Sequence, residues 1–352
     1  MTEPYRRRQF WMPLRVAAAA AVAGALLLMT LATATAAPPA EFKLRIGTIA
    51  PEGTPWSDKL TAIKHAIERQ AGSRIKVILY LGGRRGGGAE LMDQLRRGKL
   101  QGAGLSAGEV AMVVPAFRVL ELPYLFNTYE EVDYIIGEVI GKKLEEKALE
   151  NGLHLAVWSE NGWRSIGTKY KPVRTIEDVR GLKVRAQETD TNVWFWEALE
   201  ARRVPIPIDE VLPALHTGVI HGFDQTPIFT ASAGWYAQMQ HYTLTRHSYQ
   251  AAMIVYDNGF LESLPQDLRD IVLAASKSVT SGHLKTIREV NRDMIEEFRK
   301  NQIEVIELTD AERQRFREQA KIVHKRYRKN NDGQLLDEVL HELEAFRKQR
   351  GQ

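Results

Sequence analysis

GLKVRAQETDTNVWFWEALEARRVPIPIDEVLPALHTGVIHGFDQTP, residues 181–227, is the stretch whose reading decides the fold. Short apolar runs alternate in it with helical patterns. Residues 182–185 predict a strand that delivers Arg185 at its end. Residues 189–201 predict a helix, because Val193, Trp196 and Leu199 share one face. Residues 204–207 form a short extended piece; Pro205 and Pro207 exclude a central antiparallel strand and allow an edge or a short buried one. A second helix over 208–217 carries Asp209 or Glu210 in its first turn, where negative charge suits the helix dipole, and a strand follows over 218–224. Strand, helix, strand, helix, strand is a parallel α/β unit. In open α/β sheets the ligand sits beyond the carboxyl ends of the strands. Arg185 and the trio Asp224, Gln225 and Thr226 lie at such ends, and Arg164 stands just before the strand-like residues 165–168. Two guanidiniums at one edge suit a carboxylate, because the planar fork meets both oxygens at once.

Outward from this stretch, the same alternation continues. On the amino-terminal side, strands are expected over 42–49, 75–81, 101–106 and 153–158. A helix over 54–70 puts Trp56, Leu60, Ile63 and Ile67 on one face, with Thr54 as cap and Pro55 at its first position. Helices are also expected over 89–97 and 129–151. Residues 159–162 read as a first crossing between two lobes, and the extended stretch 242–256 as the crossing back. On the carboxyl side, 265–300 reads as one long helix bent at Gly282, followed by a strand over 303–308 and helices over 310–328 and 333–348. Thr309 and Glu312 form a capping box for the first of these. The fold class is therefore α/β, with two lobes around a central cleft, a hinge of two crossings and a long helix spanning both lobes. The lobes divide as 37–160 and 161–245, with 246–352 returning to the first.

Residues 1–36 read as a secretory signal: Arg6, Arg7 and Arg8 precede an apolar run over 16–31, and the small residues Ala34, Thr35 and Ala36 fit a cleavage site. Arg7, Arg8, Gln9 and Phe10 also resemble a twin-arginine signal. A periplasmic location follows, with cleavage near Ala36. The formal charge is +4, but four arginines against Glu3 place +3 of it in the signal, which leaves about +1 for the rest. Such a balance does not point to nucleic acid. The chain has no cysteine, which removes disulfides, thiol chemistry and a lipid-anchoring cysteine. Residues 82–88, GGRRGGG, lack the Gly-Lys-Ser/Thr ending of a phosphate loop and read as a turn. His216 and His221 lie five apart and make no metal signature, so neither a metal nor a cofactor is expected. Gly104-Leu105-Ser106-Ala107-Gly108 matches the nucleophile elbow of serine hydrolases, which keeps an exported hydrolase as a remote alternative to a non-enzyme.

Residues 178–185, DVRGLKVR, and 210–218, EVLPALHTG, together with 51–56, PEGTPW, and 122–126, LPYLF, closely resemble the substrate-binding proteins of tripartite ATP-independent periplasmic (TRAP) transporters, the dicarboxylate-binding-protein (DctP) family. The resemblance covers most of the chain after the first forty residues. It implies an extracytoplasmic protein that captures a small organic acid and hands it to the membrane permease subunits of an ion-driven carrier; the same shape could serve an ABC transporter or a sensor. A monomer is expected, with a dimer left open. Arg185 falls at the family's carboxylate-clamping arginine, and Arg164 matches a second arginine used by some members. Where many members have Gln-Glu-Asn-Pro, this chain has Phe223-Asp224-Gln225-Thr226-Pro227, one residue longer. Gln225 or Asp224 then takes the place of the usual asparagine. Asp224 reads alternatively as a counter-ion to the arginines or as a ligand for a bridging cation. Ser106 matches a ligand-contacting position, and Glu52, Thr54 and Trp56 sit where the first lobe faces the cleft. Trp163, Trp194 and Trp196 read either as an aromatic pocket wall or as core.

Overall fold

The computed structural model describes residues 41–278, 282–331 and 333–351. The signal expected over 1–36, with its cleavage point, lies outside the described residues.

The strands are β1 (Phe42–Thr48), β2 (Ile75–Tyr80), β3 (Gly102–Ser106), β4 (Leu153–Thr168), β5 (Lys183–Ala186), β6 (Arg202–Pro205), β7 (Gly222–Gln225), β8 (His241–Asp257) and β9 (Glu304–Ile306). They join in one sheet in the order β2-β1-β3-β8-β4-β7-β5-β6, with β9 beside β8. β1 pairs in parallel with β2 and β3, and the helices Pro55–Ala71 and Gly88–Arg96 make the crossovers. β5 pairs in parallel with β6 and β7, through the helices Asp190–Ala198 and Val211–Thr217. The stretch 181–227 is thus the parallel unit that its alternation predicts.

The two lobes share their sheet through β4 and β8, which run antiparallel to each other. β3 pairs with the 252–256 end of β8, and β7 with the 165–168 end of β4. The sequence suggests separate strands over 153–158 and 165–168; the structure runs them as one 16-residue strand. Register shifts at 155/157, 160/162 and 164/166 let that strand continue where period-two patterning lapses. Gly162 sits in the middle shift at φ +101, where a Cβ would come within 2.7 Å of the Asn291 amide.

Helix Pro55–Ala71 starts as its sequence dictates. Thr54 accepts a hydrogen bond from the Ser57 amide at 3.3 Å, Pro55 occupies the first turn, and Trp56, Leu60, Ile63 and Ile67 are buried. Each such side chain contributes about 1.5–3 kcal/mol by leaving water. The single long helix expected over 265–300 is instead two, Gln266–Ser278 and His283–Lys300. Gly282, at φ +76, has a left-handed backbone that cannot continue a right-handed helix. The second of these two helices bridges the lobes: Ile287 packs with Leu60 and Ile63 in one apolar cluster, and Phe298 with Phe223 and Trp235 in another. Between them, the Asn291 side chain accepts from the Ile228 amide at 3.1 Å and donates to the Asn161 carbonyl at 3.0 Å. Thr309 caps Asp310–Asn330 by accepting from the Glu312 amide at 3.2 Å, and Gly333–Gln349 ends the described chain.

Candidate binding site

β1, β3 and β5 end around a cavity of about 360 Å³. The first lobe lines it with Thr48, Trp56, Ser106 and Glu109, and the second with Arg185, Gln187 and Gln225. Asn161 of β4 and Gln250 of β8 line it where the lobes join.

Arg185 is the unusual group. It is only 4% exposed, and its Nε and Nη1 have no hydrogen-bond partner among the described residues. Burial, helped by the Arg164 charge, lowers its pKa to about 10 against the pull of Asp224, Glu109 and Glu188. A buried charge is ordinarily paired and hydrogen-bonded, so unpaired donors on a cavity wall leave a place for an anion. Ser106, at the end of β3, gives its amide to the Glu109 carboxylate at 2.7 Å, and its hydroxyl lies 3.5 Å from the Gln187 amide nitrogen. No histidine is among its hydrogen-bond partners in the described residues, so the elbow-like motif has no base. Gln225 is fixed by its own Oε1, which accepts from the Thr226 amide at 2.9 Å, and by its carbonyl, which accepts from the Tyr242 hydroxyl at 2.7 Å.

Arg164 and Asp224 do not line the cavity, which corrects their reading as ligand contacts. They are buried against each other: Arg164 Nε donates to Asp224 Oδ2 at 2.6 Å and Nη2 to the Asp224 carbonyl at 2.9 Å, while Nη1 donates to Gln187 Oε1 at 2.6 Å. Asp224 also accepts from Asn192 Nδ2 at 2.9 Å and Trp196 Nε1 at 3.0 Å, and lies 3.2 Å from His247 Nε2. Its oxygens are taken by these partners, and it stands as the counter-ion of Arg164. Burial pushes the Asp224 carboxyl up, but Arg164 and His247 outweigh it and hold the group well below the carboxylate range. Gln187 joins this buried pair to the cavity, since its Oε1 also accepts from Gln250 Nε2 at 3.2 Å.

Glu52 also stands away from the cavity, with its side chain 65% exposed and bonded to Arg84 at 3.0 Å. Its neighbours Thr54 and Trp56 do line it. Trp163 packs between Tyr129 and Tyr249, at 5.8 and 5.5 Å between ring centres, and Trp196 is fully buried beside Phe195, so neither is a cavity wall. The aromatic lining comes from Trp56, which donates to the Glu160 carbonyl at 3.2 Å, and from Phe229. Sequence reasoning missed Thr48, Glu109, Gln187 and Gln250. Gln187 was within reach, since it stands two residues beyond Arg185 in an extended segment. Behind Glu109, the buried Glu121 accepts from the Gly108 amide at 2.9 Å, and burial pushes its pKa to about 7.

Two α/β lobes on one shared sheet, with a cavity between them and on its wall a buried cation without a hydrogen-bonded counter-ion, define a solute-binding protein. The chain belongs to the bacterial extracellular solute-binding protein family 7 (DctP), whose model matches residues 46–330. It is 26% identical over 291 residues to the C4-dicarboxylate-binding protein DctB of Bacillus subtilis, covering 82% of this chain and 83% of that one. It is 24% identical over 254 residues to the 2,3-diketo-L-gulonate-binding periplasmic protein YiaO of Escherichia coli, covering 71% and 76%. Among solved structures, a TRAP periplasmic solute-binding protein from Sulfitobacter sp. NAS-14.1 with bound β-D-galacturonate superimposes with a TM-score of 0.79 at 26% identity, over 84% of this chain and 98% of that one. The sugar acid binding protein DctPAm from Advenella mimigardefordensis, in complex with galactonate, gives a TM-score of 0.82 at 22% identity, over 87% and 99%. The family and fold expected from the motifs therefore hold, and the chain is a TRAP-type solute-binding protein, not an enzyme. Among the described residues, no helix is long and apolar enough to cross a membrane.

Proposed function

We propose that Arg185 anchors the carboxylate of the captured acid, with Gln225 on the same lobe and Ser106 on the facing one completing its surroundings. The observation that carries this is the buried Arg185 guanidinium with unpaired Nε and Nη1 on the cavity wall. Arg164 acts from behind: held by Asp224, it fixes Gln187 through Nη1. The lobes are 37–160 and 161–245, with the remainder returning to the first. They turn about β4 and β8 to close over the acid, and closure excludes water, which strengthens the ion pair. The mature protein, exported and cleaved near Ala36, acts in the periplasm as a monomer and delivers its acid to the permease subunits of a TRAP transporter.

Arg185→Lys tests the anchor, because a point charge cannot reproduce a fork. Titration calorimetry with whichever acid the wild type binds is expected to show at least a tenfold loss of affinity with an unchanged circular dichroism spectrum. Unchanged affinity removes Arg185 from the site.

A further inference from the structure

We infer that the cavity selects an acid with one carboxylate and an uncharged, hydroxylated body, and that it discriminates against dicarboxylates. This rests on the reading of Arg185 as anchor and goes further, to the rest of the ligand. Arg185 is the one cationic side chain lining the cavity among the described residues. Besides the buried Glu109, which takes the Ser106 amide, three acids line the cavity with Arg185 from three segments: Glu90 in the helix Gly88–Arg96, Glu188 just after β5, and Asp209 in the turn Ile208–Glu210. All three are exposed and so form the mouth. The two arginines in the adjoining loop are occupied elsewhere, Arg84 with Glu52 at 3.0 Å and Arg85 over the Tyr80 ring at 4.2 Å. Arg164, the other buried guanidinium, is neutralised by Asp224.

A ligand bound through one carboxylate at Arg185 therefore finds no second cation. A carboxylate at its far end meets the negative charges of the mouth, and like charges gathered at one opening repel. Hydroxyl groups fare differently. Thr48, Ser106, Asn161, Gln225 and Gln250 offer neutral groups that both donate and accept, and the mouth carboxylates accept from O–H donors. The volume of about 360 Å³ leaves room for a body beyond the carboxylate.

The test is titration calorimetry of ligand-stripped protein with four- to six-carbon aldonic acids, against aldaric and plain dicarboxylic acids of equal carbon number, and with simple keto acids and ammonium-bearing acids as further arms. The expected result is that an aldonic acid binds best and that its dicarboxylate counterpart binds at least tenfold more weakly. The triple variant Glu90→Gln, Glu188→Gln, Asp209→Asn, all at exposed positions, is expected to shrink that ratio at least threefold. A dicarboxylate that binds as tightly as any aldonic acid overturns the inference and leaves the anchor standing. Tightest binding by a keto acid or an ammonium-bearing acid overturns the hydroxylated body alone. No binding by any carboxylate overturns the anchor and the inference together, and an unchanged ratio in the triple variant overturns the role of the mouth.

Discussion

Replacing Arg185 by Met should make the empty protein more stable while abolishing its binding. The guanidinium is buried with two donors unpaired, and burial lowers its pKa to about 10. The drop from arginine's ordinary value corresponds, at 1.36 kcal/mol per pKa unit, to about 3 kcal/mol by which the folded state disfavours the charged form. A base whose pKa falls on folding carries that cost at every pH below its folded pKa, and sheds it only as pH rises through that value toward the unfolded one. The cost is therefore complete at neutral pH. Met keeps much of the side-chain volume and has no charge to desolvate, as when buried ion pairs give way to packed apolar groups. For a chain of this size a gain of about 3 kcal/mol raises the melting temperature on the order of 5 °C. Scanning calorimetry of both proteins, unfolded and refolded free of ligand at pH 7, reads the difference directly. Wild type should then recover about 2.7 kcal/mol with ligand at a hundred times its dissociation constant, and Arg185→Met should recover nothing. An empty variant that melts at or below the empty wild type would refute the premise that the guanidinium stands uncompensated.

Asp224→Asn should have the opposite sign. It removes the charge that neutralises Arg164 in a fully buried site, and breaking a buried pair from one side costs about 3–5 kcal/mol, readable as a lowered urea midpoint at an unchanged slope. Glu121→Gln should stabilise the protein at pH 8 by up to about 3 kcal/mol and change little at pH 4. Burial raises the Glu121 pKa to about 7, so its contribution is complete below the ordinary carboxylate value and is lost as pH rises through 7. Glutamine keeps the acceptor for the Gly108 amide. Denaturant melts at the two pH values decide it, and an equal effect at both would refute the assignment.

The parallel unit over 181–227 was legible because its apolar runs are short and its turns are marked by proline and glycine. Arg185, Ser106 and Gln225 were legible as cavity-lining residues for a related reason, since each stands at a strand's end or one residue from it, and strand ends frame clefts. Arg164 has the same credentials in one dimension. Only the fold reveals that Asp224, sixty residues on, lies across from it and consumes its donors. Glu52 failed by direction: the motif that carries it reaches the cavity through Thr54 and Trp56, while its own side chain turns to Arg84 and solvent. Gln250 was hidden because it lies in the middle of β8, where the polar residues 245–248 give way to the apolar run 251–256, and an amide at that change carries no periodic signal. The break at Gly282 was visible as a residue, but whether glycine bends a helix or ends it depends on a φ angle that no pattern encodes.

The shared strands have a mechanical consequence. Asn161 and Gln250 sit where β4 slips register against β8, and both border the cavity. In a rotation of one lobe on the other, each residue travels in proportion to its distance from the axis. Groups beside the shared strands hardly move, while those farther from them on either lobe sweep wider arcs. Such a lever converts a sub-ångström adjustment at the fulcrum into a displacement at the outer faces, the surfaces that a membrane partner can touch.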